Sequence, residues 1–511
     1  MTHQIQKKVT RNTIFTGIGQ VSIMFINFLL IPYIISKIGI ERYGIWVLAF
    51  SVIGFIALLD FGIGDVYTKF VAEYIAKGSI EELNRIISTG FTFSIFIGLI
   101  FSFVLLLRNN ILEIFNFQQI YMEEAYFIIT WAIIIFIFMF ISGIFNGLLW
   151  GMQRLGVLNS IDIISAAVNT IATIVFLELG FGIRGLIFSI AVYSLFSVAA
   201  KAYFSYRLLP DLSINPLKFK RDSLRIMLHY GTKLQITKIA LFINMQIDKL
   251  FIGHFLNVAQ VGYYDIGATL ARTTRRIPMI LLPALLPAAS ELDRLGDRET
   301  LYKLFIKSSK YVSLITIPLC FFIITNSTNL IKLWMGAGYE KSVMVLCFLS
   351  LGFAVNVLTG PGTAIVRGIG KPEIETRYTS VLAILNSVLS LVLIINFGLL
   401  GAVLGTSLSI TICSIYFFFV LYKEVFQKPL WPFFKETFAI PIYTSMVFGV
   451  VIVAVNALLT NIIPLLGREY YATIILLNAT IFFSGYIFLL FKKNFISYLE
   501  VKKLYGFIME K

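Results

Sequence analysis

Long apolar runs follow one another along almost the whole chain, and they restrict it to one class of fold. Each run has about 20 residues, the length of an α-helix that crosses the ~30 Å hydrocarbon core of a bilayer. Hydrophobic residues make up 58% of the chain and charged residues 14%, against about half and about a quarter in soluble domains. An ordinary soluble domain is therefore excluded. The runs are 13–36, 43–67, 86–107, 125–149, 159–179, 183–205, 226–253, 261–288, 308–331, 343–366, 376–397, 399–422, 438–460 and 470–491.

These runs predict an all-α polytopic membrane protein with about 14 transmembrane helices. The chain carries 42 Lys and Arg residues against 27 Asp and Glu residues, a net charge of +15. Lys7, Lys8 and Arg11 precede the first span, and most of the other basic residues fall in loops on the same side of the membrane. The positive-inside rule then predicts cytoplasmic N- and C-termini. The same rule explains the net charge, so we expect no nucleic-acid partner.

The connections between the spans are too short to hold a soluble domain, and this excludes several functions. The chain contains no G-x-x-x-x-G-K-[ST] motif, which the nucleotide-binding domain of an ATP-driven transporter needs. A membrane glycosyltransferase or polymerase usually needs a sizeable extramembrane loop. Cys320, Cys347 and Cys413 lie in apolar runs without the spacing of metal ligands. We therefore expect no enzyme activity, no cofactor and no metal site.

The second half of the chain repeats features of the first. At a shift of 216, residues 181–185 fall on residues 397–401, and both segments follow a predicted span. Six spans per copy give both copies the same orientation, so they should form two bundles related by a pseudo-twofold axis along the membrane normal. At a shift of 218, the matches are Gly78 with Gly296, Glu81 with Glu299, Leu83 with Leu301 and Glu73 with Glu291.

The repeat predicts three parts of the chain. Residues 1–210 form an N-terminal six-helix bundle, and residues 211–425 form a C-terminal six-helix bundle. Residues 426–511 add two further transmembrane helices and a cytoplasmic tail. A substrate site is expected between parallel repeats of this kind.

Motifs at the ends of four spans carry a resemblance to a known family. They are KIGIERYGIW at 37–46, LLDFGIGD at 58–65, FVAEY at 70–74, QIDKLFIG at 246–253 and VGYY at 261–264. In this order and spacing, the chain resembles the polysaccharide or O-antigen flippases (Wzx-type). These belong to the superfamily of multidrug, oligosaccharidyl-lipid and polysaccharide exporters. The same superfamily holds the multidrug and toxic compound extrusion (MATE) transporters and the lipid II flippases.

The resemblance implies a MATE-like fold and a transport function. The implied activity is translocation of an undecaprenyl-pyrophosphate-linked oligosaccharide repeat unit from the cytoplasmic to the outer leaflet of the bacterial inner membrane, by alternating access. Such a step serves O-antigen and lipopolysaccharide, capsule or exopolysaccharide synthesis. The implied partners are the lipid-linked oligosaccharide, membrane lipid and other polysaccharide-assembly proteins.

Basic residues within predicted spans 7 and 8 mark the predicted binding site. A charge at the bilayer centre costs roughly 2.5–3.5 kcal/mol on insertion scales, so such residues indicate function. From the outer end of span 8, Arg272 lies about 16 Å along the helix and Arg275 and Arg276 about 21–22 Å. Lys238 and Lys233 lie within span 7. Because guanidinium groups pair bidentately with phosphate oxygens, we predict that this set binds an anionic head group. The alternative is that Arg275 and Arg276 extend toward the inner membrane interface and that Lys233 belongs to the cytoplasmic end of span 7.

Five further charged residues are candidates for gating or ion coupling. Asp265 lies on the same helical stripe as the arginines, whereas Asp248 and Lys249 lie near the outer end of span 7. Asp60 and Asp65 lie at the end of span 2, beside two glycines. The alternative for Asp60, Asp65, Asp248 and Lys249 is that they only cap helix ends.

A second function of the same fold class remains open at this stage. A cation-coupled multidrug efflux antiporter would share the fold. Its cationic substrates favour a cavity with excess carboxylate, and the predicted site in spans 7 and 8 is basic instead. The basic residues therefore favour the flippase.

Overall fold

The computed structural model describes residues 2–60, 62–115, 117–279, 282–462 and 467–495. Side chains are described from residue 25 onward within these ranges, except at 27, 59, 233, 234, 236, 237 and 460–462. Over these ranges the chain forms eighteen α-helices and no strand.

Helices α1 to α9 precede residue 280. They are α1 (Thr2–Ala57), α2 (Ile63–Ala76), α3 (Ile80–Val104), α4 (Arg108–Ile114), α5 (Met122–Gly151), α6 (Leu155–Glu178), α7 (Gly182–Leu208), α8 (Arg221–Phe255) and α9 (Val258–Met279). The others are α10 (Leu285–Arg294), α11 (Arg298–Thr325), α12 (Ser327–Met335), α13 (Glu340–Leu358), α14 (Gly360–Gly368), α15 (Pro372–Leu421), α16 (Leu430–Thr437), α17 (Ala439–Ile462) and α18 (Gly467–Lys492). A 3₁₀ turn precedes α2, and a π-helical turn, Tyr422–Phe426, follows α15.

Ten helical segments of the described chain are long and apolar enough to cross a membrane, which confirms a multi-pass membrane protein. Predicted spans 1 and 2 form one helix, α1, that bends at Gly39, and predicted spans 11 and 12 form α15, which bends at Gly398. Predicted spans 7 and 8 correspond to α8 and α9, whose charged residues keep them out of the ten. Helix α9 ends at Met279, before the predicted end at 288. The count of fourteen spans stays a prediction.

The chain divides into two compact units. Unit 1 comprises Met1–Phe242 and Ile252–Gly262, and unit 2 comprises Ile243–Phe251 and Tyr263–Lys511. Residues 211–242 therefore group with unit 1, and the described residues after 425 group with unit 2. The predicted division of the chain into three parts stays a prediction.

Hydrogen bonds explain why the segment after residue 210 belongs to unit 1. The Asn84 amide donates to the Asp211 carbonyl at 2.8 Å and accepts from the Ser213 backbone N–H at 3.0 Å. One turn further along α3, the Ser88 hydroxyl accepts from the Asn215 backbone N–H at 3.0 Å. Thr89 accepts from the Lys220 backbone N–H, and Thr92 donates to the Pro216 carbonyl. One face of α3 thus holds the extended linker 211–220, a long-range pairing that the span pattern does not encode.

Repeat-related turns have the same backbone geometry in the two units. Gly78 and its match Gly296 have φ angles of 66° and 70°. Gly182 and its match Gly398 have φ angles of 56° and 58°. Residues with a side chain rarely adopt this region of φ, so each turn depends on its glycine. The shared geometry supports the internal repeat.

Close helix contacts build the core of unit 1, and aromatic packing builds that of unit 2. Tyr67 on α2 is buried against Gly147 on α5, and Val71 packs one turn further along against Gly151. A Cβ atom at either glycine would collide with the facing side chain, as in other small-residue membrane helix contacts. In unit 2, phenylalanines and tyrosines of α11, α15 and α16 pack together around the end of α15.

Three buried asparagines and the partly buried Asn456 attach the last two helices to unit 2. Asn478 on α18 donates to Asn326 at 2.6 Å and to Asn456 on α17 at 2.8 Å. Asn329 on α12 donates to Asn456 at 3.1 Å. Lipid offers no hydrogen-bond partners, so amide groups in membrane helices bond to one another. These bonds hold α17 and α18 against the α11–α12 junction.

Candidate functional site

Unit 1 brings the predicted residues Asp65 and Lys238 together. Asp65 lies in the first turn of α2, and its carboxylate forms an ion pair with the Lys238 ammonium of α8. The two side chains are 48% and 42% exposed. The helices can approach because the Gly62 Cα faces the Gly231 backbone, where a Cβ would come within 2.9 Å of the Gly231 carbonyl oxygen. Buried Gln235, one turn before Lys238, also donates to the Leu58 carbonyl.

The other predicted residues of unit 1 have different positions. Asp60 ends a 3₁₀ turn and its carboxylate accepts from the Gly62 backbone N–H at 2.9 Å. Predicted span 2 is therefore interrupted here rather than running to residue 67, and Asp60 stabilises the turn that starts α2. Lys233 belongs to α8, but its side chain lies outside the described residues.

In unit 2, Asp265 joins two of the predicted cations. Its carboxylate lies 2.9 Å from the Lys249 ammonium and 3.6 Å from the Arg272 guanidinium. The Asp265 and Lys249 side chains are only 10% and 8% exposed, whereas Arg272 is 30% exposed. Arg272 also donates to the Thr269 hydroxyl at 2.6 Å. Although Asp265 lies two turns before Arg272 on α9, the long Arg272 side chain reaches back to its carboxylate.

Arg275 and Arg276 differ from Arg272. Arg276 is exposed and Arg275 is partly buried. In the part of the chain that the structure describes, neither guanidinium forms an ion pair with a carboxylate. With Lys249 and Arg272 they make four cations against the two carboxylates of Asp248 and Asp265. This part of unit 2 therefore carries an excess of positive charge.

Asp248 is the centre of a buried oxygen cluster in unit 2. It is 1% exposed, and it accepts from the Tyr264 hydroxyl at 2.7 Å, from Ser390 at 2.8 Å and from Thr406 at 2.5 Å. The Ser390 oxygen also lies 3.0 Å from the Asn386 amide oxygen and 3.5 Å from the Ala402 carbonyl oxygen.

The cluster has more acceptors than protons to donate. A hydroxyl carries one proton, so Ser390 can satisfy only one of its three neighbouring acceptor oxygens at a time. A carboxylate, an amide oxygen, a carbonyl and three hydroxyls together resemble the all-oxygen ligand sets that bind hard cations. The arrangement can therefore hold a cation or a proton at Asp248.

Sequence reasoning missed the partners of Asp248. Asn386 and Ser390 are one turn apart on α15, and Thr406 follows beyond the bend at Gly398. Single polar residues in apolar spans are ordinary, so nothing marked these as a set. The available signal was their i, i+4 spacing on a face that also holds buried small residues.

Comparisons with known proteins agree with this architecture. A putative O-antigen transporter of Shigella flexneri is 21% identical over 411 residues, covering 79% of this chain and 95% of that protein. A structure of the lipid II flippase MurJ in an inward closed conformation has a TM-score of 0.73 and 16% identity, covering 94% and 99% of the two chains. An inward-facing multidrug resistance MATE transporter has a TM-score of 0.63 and 16% identity, covering 79% and 95%.

The structural likenesses show the fold, which is the MATE-like fold that the sequence predicts. The sequence family described as "Polysaccharide biosynthesis protein" matches residues 38–344, more than half of the chain. Apart from Lys37, this match includes all five motifs on which the resemblance rests. The chain belongs to the polysaccharide biosynthesis protein family.

Proposed function

We propose that this protein is a flippase that carries an undecaprenyl-pyrophosphate-linked oligosaccharide repeat unit from the cytoplasmic to the outer leaflet by alternating access. The membership of a polysaccharide biosynthesis family and the likeness to an O-antigen transporter support this proposal. The observation that carries it is the group of cations on α9, of which Arg275 and Arg276 have no carboxylate partner among the described residues. A group of guanidiniums without counter-charges favours an anionic ligand.

Arg272, Arg275 and Arg276 bind the pyrophosphate in this proposal. Guanidinium groups stay charged when buried and match two phosphate oxygens at once. Arg272 is the positioned member, because Thr269 and Asp265 orient its guanidinium from one side. Arg276, the most exposed of the three, is the first to meet the ligand.

Lys238 and Lys233, both on α8, keep in this proposal the anion-binding role that the span pattern predicts for them. The pairing of Lys238 with Asp65 is half-exposed, and ion pairs of this kind contribute only about 0–1 kcal/mol. A phosphate can therefore replace Asp65 as its partner at little cost. The release of Asp65 then gives α2 a local signal that the ligand has bound, which is the gating role we propose for that residue.

Asp248 is the proposed ion-coupling group. A cation at this cluster would neutralise the carboxylate, and the surrounding hydroxyls would turn to face it with their oxygen atoms. The neighbouring pair of Lys249 and Asp265 connects this cluster to Arg272 through direct contacts. We propose that occupancy at Asp248 changes the position of Lys249 and thereby the charge at the arginines.

The proposal includes the cellular setting. The protein lies in the bacterial inner membrane with cytoplasmic termini, and it acts with other polysaccharide-assembly proteins without catalysing bond chemistry. The excess of Lys and Arg in the predicted cytoplasmic loops supports this orientation.

Depletion of the protein in its native host tests the function. We expect polyprenyl-linked sugar to accumulate at the inner leaflet, and wild-type protein to relieve the accumulation. Arg272→Ala should insert normally and fail to relieve it, and Arg272→Lys should relieve it in part, because an ammonium keeps the charge without the bidentate geometry. Arg294→Ala, which removes an exposed arginine at the end of α10, is the matched control and should behave as wild type.

Two outcomes would change the proposal in different ways. Full relief by Arg272→Ala would contradict the anion site while leaving the flippase function intact. Depletion without any accumulation would contradict the flippase function, and sensitivity of the depleted cells to small cationic compounds would then favour multidrug efflux.

A further inference from the structure

A polar seam runs between two membrane-spanning helices of unit 1, α6 and α7. The polar residues of α6 recur at i, i+3, i+7 and i+11, which places them on one helix face. They are Asp162, Ser165, Asn169 and Thr173. Those of α7 recur every four residues. They are Ser189, Tyr193, Ser197 and Lys201.

Two contacts establish how the faces meet. The Lys201 ammonium lies 2.9 Å from the Asp162 carboxylate, and the Thr173 hydroxyl donates to Ser189 at 3.0 Å. The helices are consecutive and antiparallel, and they pack along their length. The register set by the two contacts places the remaining residues in facing pairs between them. The pairs are Asn169 with Tyr193 and Ser165 with Ser197.

Polar atoms in the middle of the seam lack partners among the described residues. Ser165 is fully buried, and neither its hydroxyl oxygen nor the amide oxygen of Asn169 has a hydrogen-bond partner among the described residues. Lys201 has three N–H donors, and Asp162 is its ion-pair partner in the described chain. Its side chain is only 14% exposed. Acceptors and donors thus face the same interface, spaced about one helical turn apart, and both need partners.

We propose that this seam binds a file of water molecules that enters at the Asp162–Lys201 pair and ends at the Thr173–Ser189 pair. Water fits because it both donates and accepts, and buried waters typically bridge about three polar groups that lack other partners. The Asp162 side chain is 33% exposed and offers the open end. Thr173 and Ser189 are each 2% exposed and bonded to one another, so they close the other end. A metal cation fits less well, because the Lys201 ammonium already neutralises the carboxylate.

The proposal does not depend on the transported substrate. It gives unit 1 an aqueous inlet inside a helix pair that would otherwise be dry. Ionisable residues within membrane spans commonly mark such hydrated paths. The inlet uses none of the residues assigned to the anion site.

Cysteine labelling tests the seam directly. Single cysteines are introduced by Ser165→Cys, Asn169→Cys and Thr173→Cys after Cys320, Cys347 and Cys413 have been changed to Ala. A small membrane-permeant thiosulfonate reacts with thiolates, and thiols form thiolates only where water is present. We expect Ser165→Cys to react fastest, Asn169→Cys more slowly and Thr173→Cys hardly at all. Ile171→Cys, 63% exposed on the lipid-facing side of α6, is the matched control and should react roughly tenfold more slowly than Asn169→Cys.

The result decides the proposal either way. No reaction at positions 165 and 169 in a protein that elutes as a single folded species would overturn it. Equal reaction at 169 and 171 would also overturn it, because that pattern reports loosening of the whole helix. A second variant covers misfolding of the cysteine proteins. Asp162→Leu combined with Lys201→Leu replaces the pair by apolar side chains, a change that buried ion pairs often tolerate. This double change should slow labelling at Asn169→Cys at least about fivefold.

Discussion

The charged clusters of the two units differ in exposure, and the difference separates two kinds of role. In unit 1, Lys238 and Asp65 form an ion pair whose side chains are 42% and 48% exposed. In unit 2, Lys249 and Asp265 form a pair whose side chains are 8% and 10% exposed. Exposed pairs contribute little and exchange partners readily, whereas breaking a buried pair leaves an uncompensated charge. The exposed pair is therefore suited to ligand exchange, and the buried pair is suited to positioning Arg272.

The buried pair should show the largest effect on stability. Asp265→Ala leaves Lys249 buried without its carboxylate and removes the neighbour of Arg272. We expect the free energy of unfolding to fall by about 3–5 kcal/mol, the cost of removing one partner of a buried pair. Thermal unfolding in detergent, followed by tryptophan fluorescence, measures it. Recovery of stability in the double variant Asp265→Ala, Lys249→Met would confirm the cause, and a loss below about 1 kcal/mol would contradict the comparison.

The oxygen cluster should show a smaller effect on stability and a specific effect on coupling. Asp248→Asn keeps the shape and one acceptor, so we expect a loss of about 1–2 kcal/mol. Transport by the variant should lose its dependence on an imposed ion gradient, because the neutral amide no longer attracts a cation. Substrate translocation into vesicles, with and without sodium or proton gradients, measures this. Thr406→Val is the control, because it removes a hydrogen bond to Asp248 and keeps the negative charge. Translocation by Asp248→Asn that still depends on the ion gradient would exclude the coupling role.

The exposed pair should show the smallest effect on stability. Lys238→Met removes the cation and keeps most of the side-chain volume. We expect the free energy of unfolding to change by less than about 1 kcal/mol, because the partner Asp65 stays hydrated. Transport should need a higher substrate concentration without a lower maximal rate, since a binding contact is lost. The same concentration dependence measured with Asp65→Asn should shift in the opposite direction. A loss of stability in Lys238→Met as large as that in Asp265→Ala would show that the two ion pairs have the same role.

Local patterns account for much of the fold. Runs of apolar residues long enough for a bilayer identify the membrane class without any tertiary information. The two pairs of repeat-related glycines are visible as matches in the sequence, and both pairs share a left-handed backbone. These features depend on neighbours along the chain, and therefore they can be predicted from the chain alone.

The segment after residue 210 shows what local patterns do not encode. The linker 211–220 follows a span and contains Pro210 and Pro216 at or beside it, so it resembles an ordinary connection between domains. Its attachment to unit 1 depends on Asn84 and Ser88, more than 120 residues earlier in the chain. In the repeat-related position of unit 2, the segment that includes α16 packs by its phenylalanines against α11 instead. Equivalent positions thus use different interactions, which a repeat alone cannot reveal.

The sequence by itself determined that the chain is a helical membrane protein, that it contains a repeat, and that cations lie within its seventh and eighth spans. Only the tertiary structure decided which of those cations are neutralised. Asp265 was visible in the sequence, yet its pairing with Lys249 spans two helices. Asp248 gains its partners Ser390 and Thr406 from α15, over 140 residues away. The physical reason is that the ion-pair partners of a charged side chain are its neighbours in space. Helix packing, not sequence spacing, brings those neighbours together.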